Sequence, residues 1–527
     1  MLVKMIKISN FKVNVNDNRD LRDLIAKKYS INILNIKELK ILKKSIDARK
    51  KPVIYFVYEL AIDLKNEDIH IFKNKDISRY NEEKYSFKIT GKNALKHRPI
   101  IVGSGPAGLF AAYMLAENGY EPIIFERGEE IDKRVLSVND FWNNNVLKKN
   151  SNVQFGEGGA GTFSDGKLNT LVKDKLNRGK KVYEIFVANN APEEILYLNK
   201  PHIGTDKLRE VIKNMRNRII SKGGKFYYNS LVTDINIEND KIKSVIVNNK
   251  DEYFTECLVL AIGHSARDTF RMLHQNNFKM EQKPFAVGLR IMHPRKMIDN
   301  SQYGNALLSG ANYKLTYQTN DHRGVYTFCM CPGGFVVNAS SEENKLVING
   351  MSNYDRDEAV SNSAIVITVS ENDYGKELFD GVKFQEQLEK KAFLLAHGNI
   401  PVQLYKDYKD NLISTGFGEF LPCIKGKYEF ANLNELFTDS INENIKKAIY
   451  AFGKRIDGFS RDDAILAGVE SRTSSPIRIL RGDNMQSNIK GVYPIGEGAG
   501  YAGGITSAAI DGLKAFEEII SIYKPFS

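Results

Sequence analysis

With 527 residues, 42% of them apolar, the chain is long enough for several domains with sizeable cores. No continuous apolar run reaches the ~18 residues that span a bilayer, and four cysteines in so long a chain exclude a disulfide framework. The net charge of +11 is unevenly placed: residues 1–98 hold 23 Lys+Arg against 12 Asp+Glu, which leaves 52 against 52 in the remainder. The opening MLVKMIKISNFKVNVNDN lacks the apolar core and cleavage site of a signal peptide, so a cytoplasmic location is expected.

The basic segment, residues 1–95, reads as a small α/β appendage. RDLRDLIAKKY (Arg19–Tyr29) has helical spacing at Leu21, Leu24 and Ile25. NIKELKILKKS (Asn35–Ser45) suits either a helix or a strand, and PVIYFVYELAIDL (Pro52–Leu64) is a strong strand. A linker is expected near Ile89–His97. Two uses of the appendage stay open: packing and solubility, or a docking surface for an acidic partner such as a small electron carrier or an RNA.

Residues 96–283 open on a different pattern. Pro99–Val102 is a short apolar run of the kind that forms a buried parallel strand. Gly103, Gly105 and Gly108 follow at the G-x-G-x-x-G spacing, a helical run from Pro106 ends at Asn118-Gly119, and a second buried strand, Ile123–Phe125, delivers Glu126. Gly103 allows the tight turn, Gly105 lets a pyrophosphate approach the backbone, and Gly108 lets the helix pack on the strand. The helix N-terminus faces the phosphate charge, and Glu126 can accept hydrogen bonds from ribose hydroxyls. Strand, helix, strand and acid in this order make a dinucleotide site.

Downstream, a short loop carries Gly156, Gly158, Gly159, Gly161 and Gly166. Thr205-Asp206 can cap a helix over Lys207–Ser221. Leu231–Ile237 and Ile242–Val247 read as a hairpin turned at NDK, and CLVLAIG (Cys257–Gly263) as another buried strand. Residues 284–455 are strand-rich in FAVGLRIMHP, GVYTFCMCPGGFVVNAS, KLVINGMSN and AIVITVS, then helical in FQEQLEKKAFLLAHG; they are expected to form a substrate or cap domain. Residues 456–527 are expected to complete the first domain, ending in GVYPIGEGAGYAGGITSAAIDG (Gly491–Gly512), a strand, a glycine-rich loop and a small-residue helix. The expected fold class is α/β: a Rossmann-type domain with a β-rich insertion and a small N-terminal α/β appendage.

Three of these segments, at Ile100–Glu126, Cys257–Gly263 and Gly491–Gly512, resemble the flavin-binding motifs of two-part FAD oxidoreductases. The chain is more closely similar to the bacterial family of FAD-dependent dehydrogenases through KKSIDARKK (Lys43–Lys51), QFGEGGAGTFSDGKL (Gln154–Leu168), KPHIGTDKL (Lys200–Leu208), FCMCPGG (Phe328–Gly334) and ESRTSSPIRI (Glu470–Ile479). That resemblance implies FAD held by Gly103, Ser104, Gly105, Pro106, Ala107 and Gly108, and by Glu126, Arg127 and Arg134. It adds Gly158, Gly159, Gly161, Thr162, Ser164, Lys167 and Leu168, then Val232, Ala261 and Gly263. The last motif contributes Gly496, Glu497, Gly503, Gly504, Ile505 and Thr506, with Glu497 on the ribityl hydroxyls where Asp is commoner.

FAD would carry the redox step while the protein supplies binding, orientation and electrostatics. Apart from the loops Gly156–Gly161 and Gly498–Gly503, which repeat the spacing but are already given to FAD by the resemblance, no further G-x-G-x-x-G is present for a second dinucleotide, so NAD(P)H docks transiently as electron donor or the electrons come from elsewhere. The catalytic candidates are Cys329, Cys331, Glu470, Arg472 and His293. Glu470, Arg472 and Ser474 face the ring or form a structural ion pair. His293 is a general acid or a structural histidine, and His202 and His264 divide the same way. Cys329 and Cys331, on a strand, would share one face. With no second cysteine pair they make no zinc site, so they pack, relay electrons or sense oxidation. The function expected is an FAD-dependent oxidoreductase acting on a small molecule in an inter-domain pocket. An RNA-modifying flavoprotein and an electron-transfer or redox-sensing flavoprotein are the alternatives, supported by the basic appendage and by the cysteine pair.

Overall fold

In the computed structural model, which describes residues 5–65, 74–304 and 308–526, the appendage is built on one antiparallel sheet. Its strands run in the order Ile36–Asp47, Tyr55–Leu64, Met5–Asn14 and Ile77–Tyr80. Helix Leu21–Tyr29, capped by the Asp20 side chain on Arg22 N–H, lays Leu21, Leu24 and Ile25 against Ile6, Ile8, Leu60 and Ile62. NIKELKILKKS is therefore strand, paired along its length with Tyr55–Leu64, because alternate residues find a buried partner there. Its free edge is not left bare. Lys44 N–H donates to Tyr197 O (2.7 Å) and Asn199 N–H to Lys44 O (2.9 Å), which docks the appendage on the main body.

The linker begins earlier than Ile89. From Asn81 the chain is extended and lies along the C-terminal helix Ile505–Ile522. Tyr85 OH donates to Glu517 Oε1 (2.9 Å), and the N–H groups of Thr90 and Gly91 donate to Ile520 O (3.2 and 2.9 Å). Any side chain at Gly91 would collide with the Tyr523 backbone, so the segment is bound rather than free.

A five-stranded parallel sheet forms the first main layer, in the order Val492–Pro494, Leu258–Leu260, Ile100–Val102, Ile123–Phe125 and Lys225–Tyr227. The inner strands are buried on both faces, which explains their uninterrupted apolar runs, whereas the edge strand Lys225–Tyr227 is partly exposed. Helices Pro106–Glu117 and Ile505–Ile522 cover one side, packed so closely that a side chain at Gly512 would strike Ala107 O. The expected hairpin is present as Val232–Glu238 and Lys241–Val247, turned at Asn239-Asp240 with φ of +51° and +57°. Such angles suit the short turn that matches strand twist. Thr205 and Asp206 do not cap their helix, which starts at Thr205 with Gly204 before it. Thr205 Oγ1 donates to Thr162 O (2.5 Å) and Asp206 Oδ1 accepts from Tyr354 N–H (2.8 Å), so tertiary partners take both side chains.

The second body is a seven-stranded sheet, ordered Thr316–Gln318, Gly324–Cys331, Val360–Val369, Phe285–Pro294, Ile465–Glu470, Ile400–Leu404 and Tyr428–Phe430. Helices Asp380–Leu395 and Asp439–Gly453 complete its core. Here the division at 455/456 needs correction. Ile465–Glu470, expected within the returning dinucleotide fold, pairs on both sides within this sheet, with Phe285–Pro294 and Ile400–Leu404. No described helix is long and apolar enough to cross a membrane.

The bound linker generates a test by differential scanning calorimetry. A chain starting at Asn81 should keep the main-body transition within ~3 °C of the full-length value, because little beyond the Lys44 contact is lost. A chain starting at Lys96 also loses the strap on the C-terminal helix and should melt at least ~5 °C lower.

Candidate active site

The parallel strands end at Val102, Phe125, Leu260 and Pro494, and their C-terminal ends open on a cavity of about 400 Å³. Ligands of open α/β sheets bind in this crevice. Two helices begin at its wall, Pro106–Glu117 after Gly105 and Ile505–Ile522 after Gly504, and neither N-terminus has a side-chain cap. Their first N–H groups are thus available to an anion or a carbonyl. The backbone there is bare. A Cβ on Gly105 would meet only Gly159 Cα, at 3.7 Å, and one on Gly503 would meet nothing within 4 Å. Gly108 packs as its spacing requires, since a Cβ on it would collide with Gly103 O.

Besides Gly103, Gly105, Pro106 and Ala107, the cavity is lined by Glu126, Arg127, Gly159, Gly161, Lys167, Val232, Ala261 and Gly263. Gly496, Glu497, Gly503, Gly504 and Ile505 line it from the last motif, and Cys329, Glu470 and Arg472 from the second body. Seven implied cofactor contacts stand behind this surface instead. Ser104 gives its N–H and Oγ to Glu126 Oε2 (2.9 and 2.7 Å), and its carbonyl accepts Gly158 N–H (3.0 Å). Gly108 is inside the helix, and Thr162 bonds back to Glu157 O. Thr506 Oγ1 donates to Leu168 O (2.7 Å), closing two more groups against each other. Arg134 is fully buried and spends its guanidinium on five carbonyls, those of Asn152, Val153, Gly156, Glu157 and Gly159. It shapes the glycine loop and, fully buried behind the cavity surface, does not line the site of a ligand.

Glu126 also departs from its expected part. Oε1 accepts from Gly128 and Gly156 N–H (2.9 and 3.0 Å) while Oε2 is taken by Ser104, so four acceptor positions are filled by protein. Arg127 next to it lies 4.2 Å over the Phe155 ring and forms a fork with Asp268 (3.0 and 2.6 Å).

The opposite wall is charged and buried. Arg290, fully buried, donates from Nε to Glu470 Oε2 (2.8 Å), from Nη1 to Asn362 Oδ1 (2.7 Å) and to Cys329 O (3.2 Å), and from Nη2 to Asn349 Oδ1 (2.9 Å). Burial pushes the Glu470 carboxyl up to about 7, a rise that Arg290 opposes and Cys329 reinforces. Lys167 donates to Met330 O and lies 3.4 Å from Asp165 Oδ2; Asp165 in turn is gripped by Arg356. Burial would raise Asp165, but Lys167 and Arg356 outweigh it and hold the carboxylate ionised. Near the last motif, His264 Nδ1 lies 3.2 Å from Glu497 Oε1 without the angle of a hydrogen bond.

Three catalytic assignments change. Arg472 lines the cavity but is fully engaged: Nε and Nη2 donate to Glu389, Nη2 also to Glu342, and Nη1 to Ser265 and Ser341. Together with Arg267 on Glu389 it is an ion-pair network that joins the two bodies, and it holds no free donor. His293 is buried away from the cavity, bonded through Nε2 to Phe459 O (2.7 Å), with burial pushing its pKa down to about 4. It is a neutral structural histidine. Cys331 does not line the cavity; it is buried behind Cys329. His202 is likewise structural, bonded to Tyr354 O (2.8 Å) and stacked on that ring.

Several lining residues carried no sequence signal. Asn349, in the strand Ile348–Met351, reaches the wall only because that strand lies across the sheet carrying Arg290. Gln154 is fixed by Ser265 Oγ (3.0 Å) and Ala339 O (3.1 Å), a contact across domains. Asp165 could have been found, since an acid beside Lys167 in a glycine-rich loop marks an ion pair.

Residues 284–473 match a family described as FAD-dependent protein, C-terminal domain-like, residues 101–157 an NAD(P)-binding Rossmann-like domain, and residues 5–63 a domain of unknown function. An uncharacterized protein of Clostridium beijerinckii is 46% identical over 98% of both chains. Thiamine thiazole synthase of Thermotoga maritima is 26% identical over 33% of this chain and 54% of its own length. Among solved structures, glycine oxidase from Bacillus cereus aligns with a TM-score of 0.34 at 12% identity, covering 81% of this chain and 95% of that one. Glycerol-3-phosphate dehydrogenase from Bacillus halodurans, complexed with FAD, aligns at 0.35 and 10%, covering 83% and 67%. With its full-length clostridial relative and that C-terminal domain, the chain belongs to the family of FAD-dependent oxidoreductases.

Proposed function

We propose that FAD lies in the 400 Å³ cavity, with Gly103, Gly105 and Gly159 against its pyrophosphate, and that a small molecule reacts beside Cys329, Glu470 and Lys167. The observation that carries this reading is the convergence of two uncapped helix N-termini and bare glycine backbone on one cavity. Glu126 serves by fixing the loop that the pyrophosphate meets, and Arg127 and Val232 line the same cavity beside it. Gly503, Gly504 and Ile505 offer the second helix N-terminus to the polar edge of the ring. When bound, FAD supplies two-electron exchange. The protein's part is to exclude water between the two bodies, to place cations at Lys167 and Arg290, and to hold a proton on Glu470 near neutrality.

The basic appendage supports docking of an acidic electron carrier, because all the excess positive charge precedes Pro99 and Lys43, Arg49 and Lys50 are exposed. NAD(P)H arriving without its own fold is the other donor to test.

Purified protein should be yellow and release FAD, not FMN, on denaturation. Gly105→Val fills the pyrophosphate approach and should lower bound flavin at least ~10-fold, read by absorbance and chromatography. A variant with full FAD content rejects the placement.

Glu470 gives a pH test. Its folded value of about 7 lies above the ordinary 4.5, so between those values the folded chain keeps a proton that the unfolded chain releases. Stability from this group is full below 4.5 and is lost as pH rises through 7. Melting temperature should therefore fall more steeply from pH 5 to pH 8 in the wild type than in Glu470→Gln. The flavin absorbance band should shift across pH ~7 only in the wild type. Equal profiles would remove Glu470 as the proton-holding group.

For docking, stopped-flow reduction by an acidic low-potential carrier should slow several-fold in the chain starting at Asn81 and, in the full chain, with added salt. Reduction by dithionite should not change. RNA that co-purifies with the full chain would favour the RNA-modifying reading instead.

A further inference from the structure

The chain has four cysteines, and their surroundings differ sharply. Cys257 is buried in apolar core and Cys423 is half-buried; burial pushes both thiols up and leaves them inert. Cys329 lines the FAD cavity and Cys331 lies directly behind it. The strand that carries them is not regular. Phe328 pairs with Ala364 and Cys331 with Asn362, so one extra residue is inserted between them, and Cys329 takes φ +43°. Bulges re-aim side chains next to active sites, and a non-glycine residue in the left-handed region is retained where its surroundings hold it.

What holds it is cationic. Arg290 Nη1 donates to Cys329 O (3.2 Å), and the Cys331 thiol donates to that same carbonyl (3.3 Å). Lys167 is anchored on Met330 O, between the two cysteines in the chain. The hydrogen bond from Cys331, then Lys167 and Arg290, draw the Cys329 thiol well below the usual thiol range, while the Cys331 thiol is driven up. The sulfur that faces the cavity is thus the one whose ionisation its surroundings favour, and its neighbour is the one they disfavour. That division of labour is what thiol–disulfide exchange requires of an attacking and a resolving cysteine.

We propose that Cys329 and Cys331 form a redox-active pair, and that a small disulfide entering the cavity is the substrate class they serve. The Cys329 thiolate attacks one sulfur of the disulfide, forms a mixed disulfide and expels the other half as a thiolate. The Cys331 sulfur then attacks Cys329 Sγ; the second half leaves as a thiol, carrying the proton that Cys331 held. FAD, when bound in the cavity, would supply the two electrons and the proton that return the Cys329–Cys331 disulfide to one thiolate and one thiol. Lys167 is a positioning residue that keeps Cys329 ionised. Only the last of these steps rests on the FAD reading of the cavity.

The test uses the full chain with its flavin and hydroxyethyl disulfide as probe. Mass spectrometry of the wild type should find Cys329 and Cys331 joined, and Cys331→Ser should trap the hydroxyethylthio adduct on Cys329. Alkylation by iodoacetamide below pH 7 should label Cys329 first, and Lys167→Met should raise the pH midpoint of that labelling by about one unit. After anaerobic reduction with dithionite, the probe should reoxidise the flavin in the wild type at least ~10-fold faster than in Cys329→Ser or Cys331→Ala. Flavin content and circular dichroism verify that the variants are folded. No adduct in Cys331→Ser, or wild-type reoxidation in Cys329→Ser, overturns the proposal. Adduct formation needs no flavin, so a colourless protein that still forms it rejects the FAD placement and leaves the exchange chemistry standing.

Discussion

A single residue, Gly156, is gripped by opposite buried charges on the two peptide groups that flank it, and the cavity depends on it. Its N–H donates to Glu126 Oε1 (3.0 Å) and its carbonyl accepts from Arg134 Nη1 (3.2 Å). Neither charged group reaches solvent, so each needs its full set of partners, and stripping one from such a site costs several kcal/mol. Arg134 gets them from backbone alone, and Glu126 from three backbone N–H groups and the Ser104 hydroxyl. Glu126 collects four donors and Arg134 five carbonyls, so two loops distant in sequence, Gly103–Gly105 and Asn152–Gly159, become one surface. Gly158 N–H on Ser104 O (3.0 Å) closes the seam. The φ of +121° at Gly156 and the Arg134 side chain against its Cα leave room there for glycine only.

This constraint explains what could be read in advance and what could not. The order of strand, glycine loop, helix and second strand was legible because each piece is local: apolar runs of three residues, a glycine spacing and a helix ending at Asn118-Gly119. The closing glycine-rich loop and its small-residue helix were legible for the same reason, and likeness to a flavoprotein family identified the cofactor. The use of each polar side chain was not legible. Glu126 belongs to the right motif, but its carboxylate turns inward onto the loop instead of outward to a ribose. Arg472 and His293 show the same limit: both stand in polar stretches that look functional, and both are consumed by partners far away in the chain, Glu389 and Phe459. Residue type and spacing report that a polar group is buried. They do not report who its partner is.

The second wall repeats the problem on a sheet. Arg290 sits on the central strand Phe285–Pro294, with Ala364 opposite on one side and Ala467 on the other. Small neighbours in register leave space for the guanidinium, which then reaches Asn362, Asn349 and Glu470, partners 72, 59 and 180 residues along the chain. A regular strand would place Cys329 and Cys331 by alternation alone, as expected from their spacing. The inserted residue breaks that alternation, and φ +43° at Cys329 is a departure of a kind that costs of order 1–3 kcal/mol. The Arg290 and Cys331 hydrogen bonds to the Cys329 carbonyl offset it. The buried cation thus does two things at once: it fixes an irregular backbone and lowers the proton affinity of the sulfur it carries.

Among the contacts of the basic appendage with the main body, two differ in their distance from this site. The strap at Thr90–Asn93 meets the far end of helix Ile505–Ile522, 18 residues or about 27 Å from the N-terminus that opens on the cavity. That end of the helix is remote from the cavity. The other attachment is nearer in bonding terms. The edge strand of the appendage pairs through Lys44 with Tyr197–Asn199; three residues on, His202 is bridged to Lys167, the cation beside Asp165 on the cavity wall. His202 is held by Tyr354 O, and Asp206 of the next helix takes Tyr354 N–H, so the segment from Tyr197 to Asp206 is pinned at both ends. A pinned segment transmits a displacement that a free loop would absorb. Backbone contacts thus join the Lys44 edge of the appendage to the segment bridged to Lys167 on the cavity wall.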